Sequence, residues 1–182
     1  DTTPPVFDPA RADSLLDAAG WRRGADGRRM RGGHAFAFDL LTVGTSDDAL
    51  EQLVQADLAA RGITMGIRQM ELGAFLSEAR ARPKRFDALV TGVSGDLSLA
   101  FLRAMFESRQ AGGALDYADF HEPALDADFA RASLARTDSA RGAAWRSVQA
   151  ELARQEPVVG LYHARGVQGV TRRLRGVTMA LR

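Results

Sequence analysis

The segment FAFDLLTVGTSDDALEQLVQADLAARGITMGIRQM, Phe36–Met70, decides the fold of this chain. It opens with an apolar run, Phe36–Val43, which predicts a strand. A helix is expected next, ending at Gly62, because apolar residues recur at helical spacing at Leu50, Leu53, Val54 and Leu58. Ile63–Met70 then alternates as a second strand. The order strand, helix, strand predicts two parallel strands joined by a crossover helix.

The same alternation continues toward the C-terminus. Leu72–Arg82 predicts a helix that Pro83 stops. Phe86–Gly92 predicts a third strand, and Ser98–Phe106 predicts a further helix. Repeated alternation of this kind is typical of an α/β protein with helices packed on the faces of its sheet.

The N-terminal segment carries clear helix-end signals. Asp8 precedes a proline, and Gly20 follows the last apolar position, so a helix is expected over Pro9–Ala19. The glycine-rich and charged stretch Gly24–Gly33 predicts a turn or the tip of a hairpin.

The C-terminal half begins with two expected helices, Leu125–Ala135 and Ser139–Glu156. Val158–His163 predicts a fourth strand, and Val167–Val170 a fifth. The chain is therefore expected to form one α/β domain whose central mixed sheet is flanked by helices.

Composition excludes several functional classes. The 182 residues contain no cysteine, which removes thiol nucleophiles, disulfides and Cys-type metal centres. Twenty-four basic residues against 23 acidic give a net charge of +1, too balanced for a dedicated nucleic-acid binder. No apolar run approaches the roughly 20 residues needed to cross a bilayer, so no membrane insertion is expected.

No cofactor or metal is expected either. The three histidines, His34, His121 and His163, lie in separate segments without the short spacing that zinc ligands show. No phosphate-binding glycine motif follows a strand.

The turn Gly92–Asp96 is the best candidate for chemistry, because α/β proteins bind ligands at loops after strand ends. It approaches a nucleophile elbow around Ser94, but Asp96 occupies the position where that turn needs glycine. Asp96 itself has two open interpretations: it caps the following helix, or its carboxylate faces a cleft and binds a cationic group.

The order of segments resembles the second lobe of the extracytoplasmic solute-binding proteins of peptide, opine and nickel ABC importers, known as family 5. The resemblance is carried by segments along nearly the whole chain: FDPARADSLLDAAGW (Phe7–Trp21), LLTVG (Leu40–Gly44), Leu50–Glu71, FDALVTGVSGD (Phe86–Asp96) and Thr137–Val167.

This resemblance implies a class II periplasmic-binding-protein lobe spanning 1–182, with 1–7 and 172–182 as former hinge or crossover segments. In the family, an aspartate in a similar Gly-Trp-x-x-Asp turn holds the α-amino group of the ligand, and Asp96 matches it. Val93 stands in place of the aromatic residue, and Leu72 stands where many members have tryptophan. The implied ligand-binding residues are Val43, Gly44, Val93, Ser94, Gly95 and Asp96.

The resemblance implies a non-catalytic lobe that binds a peptide or a related small cationic or zwitterionic solute. Its implied partners are a first lobe and the membrane permease of an ABC importer, and its implied location is periplasmic or extracytoplasmic. No signal peptide precedes Asp1, so a mature or trimmed fragment is expected.

Two alternatives stay open. One is the ligand-sensing lobe of a bacterial transcription regulator fused to a DNA-binding domain. The other is a hydrolase that uses Ser94 as its nucleophile.

Overall fold

The structure is a computed structural model that describes residues 6–44, 48–92, 100–162, 171 and 173. The chain divides into two compact units, one formed by Thr3–Val93 and the other mainly by residues 94–182. Each unit is described by itself.

The first unit starts with helix α1, Pro9–Ala18. The Asp8 carboxylate accepts a hydrogen bond from the backbone N–H of Arg11 at 2.9 Å, as expected of an N-cap residue. The helix stops before Gly20, whose φ of +85° is a left-handed conformation that glycine adopts without steric cost. The predicted helix and both of its end signals are confirmed.

A short antiparallel meander follows, made of β1 (Arg22–Arg23), β2 (Arg29–Arg31) and β3 (His34–Ala35). Its turns lie within the predicted turn segment Gly24–Gly33, which is therefore confirmed.

The main sheet contains β4 (Ala37–Val43), β5 (Thr64–Met70) and β6 (Ala88–Leu89), in the order β5-β4-β6. Helix α2, Ala49–Ala60, connects β4 to β5, and α3, Leu72–Arg80, lies between β5 and β6. Both strand pairs are parallel, so over the described residues this sheet is not mixed, and antiparallel pairing is confined to the meander.

The interior of this unit lies against the central strand. Leu40 and Leu41 of β4 are both buried, as expected of a strand covered on its two faces. The other buried apolar side chains come from β5 and its lead-in and from α3: Ile63, Met65, Phe75 and Ala79.

The second unit is helical over its described residues. It contains α4 (Ala100–Phe106), a 3₁₀ turn (Ser108–Gln110), α5 (Pro123–Leu134) and α6 (Asp138–Gln155). Its core is formed by buried side chains of α4, α5 and α6: Met105, Phe106, Leu125, Phe129 and Val148. The two helices predicted in this region are confirmed to within two residues at each end.

The third predicted strand, Phe86–Gly92, is shorter than expected. Only Ala88–Leu89 pairs as a strand, although the backbone N–H of Val90 still donates to Leu41 O at 2.9 Å. At the start of the segment the Asp87 carboxylate accepts the hydrogen bond of the Asp39 N–H at 3.0 Å. A side chain has thus taken the place of a backbone acceptor there.

The prediction of a fourth strand at Val158–His163 is wrong for residues 158–162, which form no strand. These residues are apolar or β-branched, but Val158, Val159, Leu161 and Tyr162 are all exposed. Strand propensity depends on a neighbouring strand to pair with and a surface to pack against, which a local pattern does not supply. His163 and the predicted fifth strand, Val167–Val170, lie outside the described residues.

None of the described helices is both long enough and apolar enough to span a membrane.

Candidate ligand-binding site

The carboxyl edge of the parallel sheet is the candidate site. β4 ends at Val43 and β5 ends at Met70, and these two residues are partners in the strand register. β6 pairs in parallel with β4, so its chain leaves at the same edge. Ligands of open α/β sheets bind outside the carboxyl ends of the strands.

Two of the six predicted site residues are described, and both lie at this edge. Val43 is 41% exposed. The N–H of Gly44 donates to Met70 O at 3.2 Å, so the backbone is held to β5 just beyond the last strand pair. Val93, Ser94, Gly95 and Asp96 lie outside the described residues, and their role remains a prediction.

The start of α3 adds an apolar side chain beside the end of β5. Leu72 is 53% exposed. The preceding carboxylate of Glu71 accepts hydrogen bonds from the N–H groups of Gly73 at 2.7 Å and Ala74 at 3.2 Å. Glu71 is therefore the N-cap of α3. Leu72, the first residue of the helix, presents an apolar side chain to solvent.

A buried polar pair behind this edge was missed by the sequence analysis. The hydroxyl of Thr42 donates to Glu51 Oε1 at 2.5 Å. Thr42 is 2% exposed and Glu51 8% exposed. The only sequence signal was an acidic residue in the first turn of the predicted helix, a common position for glutamate.

In the second unit, His121 lies beside two carboxylates for which the sequence analysis found no role. His121 Nε2 is 3.6 Å from Asp116 Oδ2 and 3.5 Å from Asp119 Oδ1. The N–H of Gly112 also donates to Asp116 Oδ2 at 2.7 Å. Among the described residues these three side chains come nearest to a set of metal ligands. The distances from His121 Nε2 to the two carboxylates equally fit ordinary ion pairs between a protonated histidine and its acidic neighbours, without a metal.

No protein-family model matches the sequence, and no curated protein matches it. Solved structures do match, over most of this chain. NikZ from Campylobacter jejuni, in complex with Ni(L-His), is 20% identical with a TM-score of 0.72, and the match covers 83% of this chain and 31% of NikZ.

Two further solved structures show the same extent of likeness. The oligopeptide-binding protein AppA from Bacillus subtilis, in complex with a nonapeptide, is 23% identical with a TM-score of 0.74, covering 86% of this chain and 32% of AppA. NikA from Brucella suis, in complex with Fe(III)-EDTA, is 30% identical with a TM-score of 0.67, covering 84% of this chain and 31% of NikA.

These structural matches define the class of protein to which the fold corresponds. The chain has the fold of a lobe of the peptide and nickel solute-binding proteins, so the resemblance and the α/β fold class expected from the sequence are confirmed. It spans about a third of the length of the solved proteins it matches. The transcription-regulator alternative is not favoured by these findings.

Proposed function

We propose that this chain is the ligand-binding lobe of a substrate-binding protein that delivers peptides, or a related small cationic or zwitterionic solute, to an ABC importer. The observation that carries the proposal is the parallel sheet β5-β4-β6, whose carboxyl edge presents the exposed Val43 and the backbone of Gly44. Its structural neighbours include proteins solved with a nonapeptide and with Ni(L-His).

In this proposal the lobe is non-catalytic. It forms one wall of a cleft that closes on the solute by hinge motion against a first lobe, and the closed protein docks on a permease in the periplasm. Ser94 then serves as a hydrogen-bonding residue rather than as a nucleophile.

Asp96 is the proposed contact to the α-amino group of the solute. It follows β6 by seven positions along the chain, and β6 is a strand that pairs with β4. A partly desolvated carboxylate holds an ammonium group by charge-assisted hydrogen bonds.

The test uses the full-length protein and calorimetric titration with trialanine. Replacing Asp96→Asn should cost about 2 to 5 kcal/mol of binding free energy, because the change removes one partner of a desolvated charge pair. The matched control is Asp57→Asn, which changes an exposed carboxylate on α2 and should leave binding unchanged.

Unchanged affinity in Asp96→Asn, with an unchanged melting temperature, would reduce Asp96 to a helix cap, since asparagine caps about as well as aspartate. If the unsubstituted protein binds no di- or tripeptide and no Ni²⁺–histidine complex, the proposed function itself is wrong.

A further inference from the structure

The loop that precedes α5 brings a histidine and two aspartates together in the second unit. Asp116, Asp119 and His121 each offer one ligand atom, and these three atoms all lie within 4.8 Å of one another. The sequence analysis expects no metal here, because the three histidines lie in separate segments. In the structure the neighbours of His121 are carboxylates two and five positions before it in the chain.

The loop is anchored by contacts outside this cluster. Asp116 is 2% exposed, and the N–H of Gly112 donates to its Oδ2 at 2.7 Å. Phe120, the residue before His121, packs edge-to-face on Phe106 of the core, with ring centroids 6.3 Å apart. Hydrogen bonds and packing behind the ligands are what orients metal-binding side chains in proteins.

The distances within the cluster match the edges of a zinc coordination sphere. Zinc bonds to histidine nitrogen and carboxylate oxygen are about 2.0 to 2.2 Å long, so neighbouring ligand atoms of a tetrahedral site lie about 3.3 to 3.6 Å apart. His121 Nε2 lies 3.6 Å from Asp116 Oδ2 and 3.5 Å from Asp119 Oδ1.

Hydrogen-bond geometry separates a metal site from an ion pair at the same distances. Both distances from His121 Nε2 exceed the roughly 3.2 Å that limits an N–H···O hydrogen bond, and the single N–H of Nε2 can point at only one of the two oxygens. An ion pair alone therefore gives this nitrogen no well-formed hydrogen bond to either carboxylate, whereas a metal ion bonds all three ligand atoms at once.

The donor set selects among the common divalent cations. Imidazole nitrogen and carboxylate oxygen are zinc ligands, and three protein ligands leave a fourth position for water. Calcium takes about six to eight oxygen ligands, and magnesium an octahedron of oxygens, so a set of three that includes imidazole suits neither ion. The two neighbouring carboxylates also repel each other, and a divalent cation between them offsets that repulsion.

We propose that Asp116, Asp119 and His121 bind a divalent transition-metal ion of the zinc type. The bound ion ties residues 116–121 together just before α5, which begins at Pro123. An ion that binds the folded chain and not the unfolded chain stabilises the fold. None of these three residues belongs to the ligand-binding residues proposed above, so this inference goes beyond the proposed function and does not depend on it.

Calorimetric titration of the metal-free full-length protein with Zn²⁺ tests the proposal. His121→Ala removes the nitrogen ligand and should weaken Zn²⁺ binding at one site by more than the roughly 10- to 100-fold that loss of an outer-shell partner costs. The matched control, His34→Ala, changes an exposed histidine on β3 and should leave the titration unchanged. Titration with Ca²⁺ should show no binding that depends on His121.

Asp119→Asn is the second variant, because asparagine tolerates the φ of +50° found at this position and lacks only the charge. It should weaken Zn²⁺ binding and reduce the rise in melting temperature that Zn²⁺ gives the unsubstituted protein. If the unsubstituted protein binds no Zn²⁺, or if both variants bind it as tightly as the unsubstituted protein does, the proposal is overturned and the cluster is an ordinary ion pair.

Discussion

At the scale of single residues, the buried guanidinium group of Arg29 joins three segments of the first unit by hydrogen bonds. Arg29 is 1% exposed, and each of its nitrogens donates to the surrounding chain. It bonds the carboxylates of Asp13 and Asp17 at 2.7 Å, Trp21 O at 2.6 Å and Arg61 O at 2.8 Å. One side chain of β2 thereby connects α1 to the end of α2.

This network affects the carboxylate of Asp13. The hydrogen bond donated by Arg29 lowers the pKa of Asp13 below its ordinary value, burial opposes this effect, and the positive charges of Arg61, Arg29 and Arg23 lower the pKa further. A carboxyl group whose pKa is lower in the folded than in the unfolded state stabilises the fold above its unfolded pKa. That stabilisation is lost as the pH falls through the folded value.

We therefore expect Asp13→Asn to lower the urea midpoint at neutral pH, because the variant lacks the charge that Arg29 and Arg61 bind. The difference from the unsubstituted protein should shrink once the pH falls below about 3.9, the ordinary pKa of aspartate, and vanish below the folded value. Urea titrations between about pH 7 and about pH 2 measure this. A difference that stays constant across the range would mean that the ion pairs contribute nothing to stability.

At the scale of elements, a glycine follows the end of each of the first two helices, α1 and α2. α2 stops before Gly62, whose φ is +80°. A Cβ built at this position would lie 2.5 Å from Gly27 O and 3.2 Å from the backbone N of Arg29. Backbone of the meander therefore packs directly against the end of α2, and only a glycine fits between them.

Gly62→Ala should therefore destabilise the fold by more than the roughly 1 to 2 kcal/mol that a left-handed conformation costs a residue with a Cβ. The matched control is Gly20→Ala. Gly20 has φ +85°, but its nearest contact to an added Cβ is the flexible Cδ of Arg31 at 3.5 Å. Gly20→Ala should therefore lose only the free energy that the left-handed conformation costs a residue with a Cβ.

Denaturant unfolding gives the loss of unfolding free energy in each variant. The difference between the two losses is the cost of the steric clash at Gly62. Equal losses of unfolding free energy in the two variants would contradict this prediction, because they would show that the meander backbone moves aside for the added Cβ at no cost.

At the scale of the whole molecule, each of the two units has its own set of buried side chains. The chain spans about a third of each solved protein it matches, and the proposed function places the second wall of the cleft outside these 182 residues. The assignment of 1–182 to one lobe, with 1–7 and 172–182 as crossover segments, stays a prediction.

The 182-residue chain alone should bind trialanine weakly or not at all. Good small-molecule sites bury roughly 70 to 90% of the ligand surface, and one wall of a cleft buries much less. Calorimetry on the isolated chain measures this. Micromolar or tighter binding would contradict the prediction, because it would show that the site is complete without a second lobe.

The sequence by itself determined the helices and the order of the main strands. Asp8, Pro9 and Gly20 mark the ends of α1, and Gly62 marks the end of α2. These signals are local: a cap, a fixed φ or a left-handed turn depends on a few consecutive residues, so a single sequence contains them. Because strand and helix alternate, the fold class followed as well.

Only the tertiary structure decided how far β6 extends, that residues 158–162 form no strand, and which polar groups meet. Asp87 reaches Asp39 across 48 positions, and Arg29 reaches Arg61 across 32. The pairing of Thr42 with Glu51 likewise joins a strand to the helix that follows it. Such contacts depend on where distant segments pack, and the free energy of a buried charge depends on all of its neighbours, which no local pattern specifies.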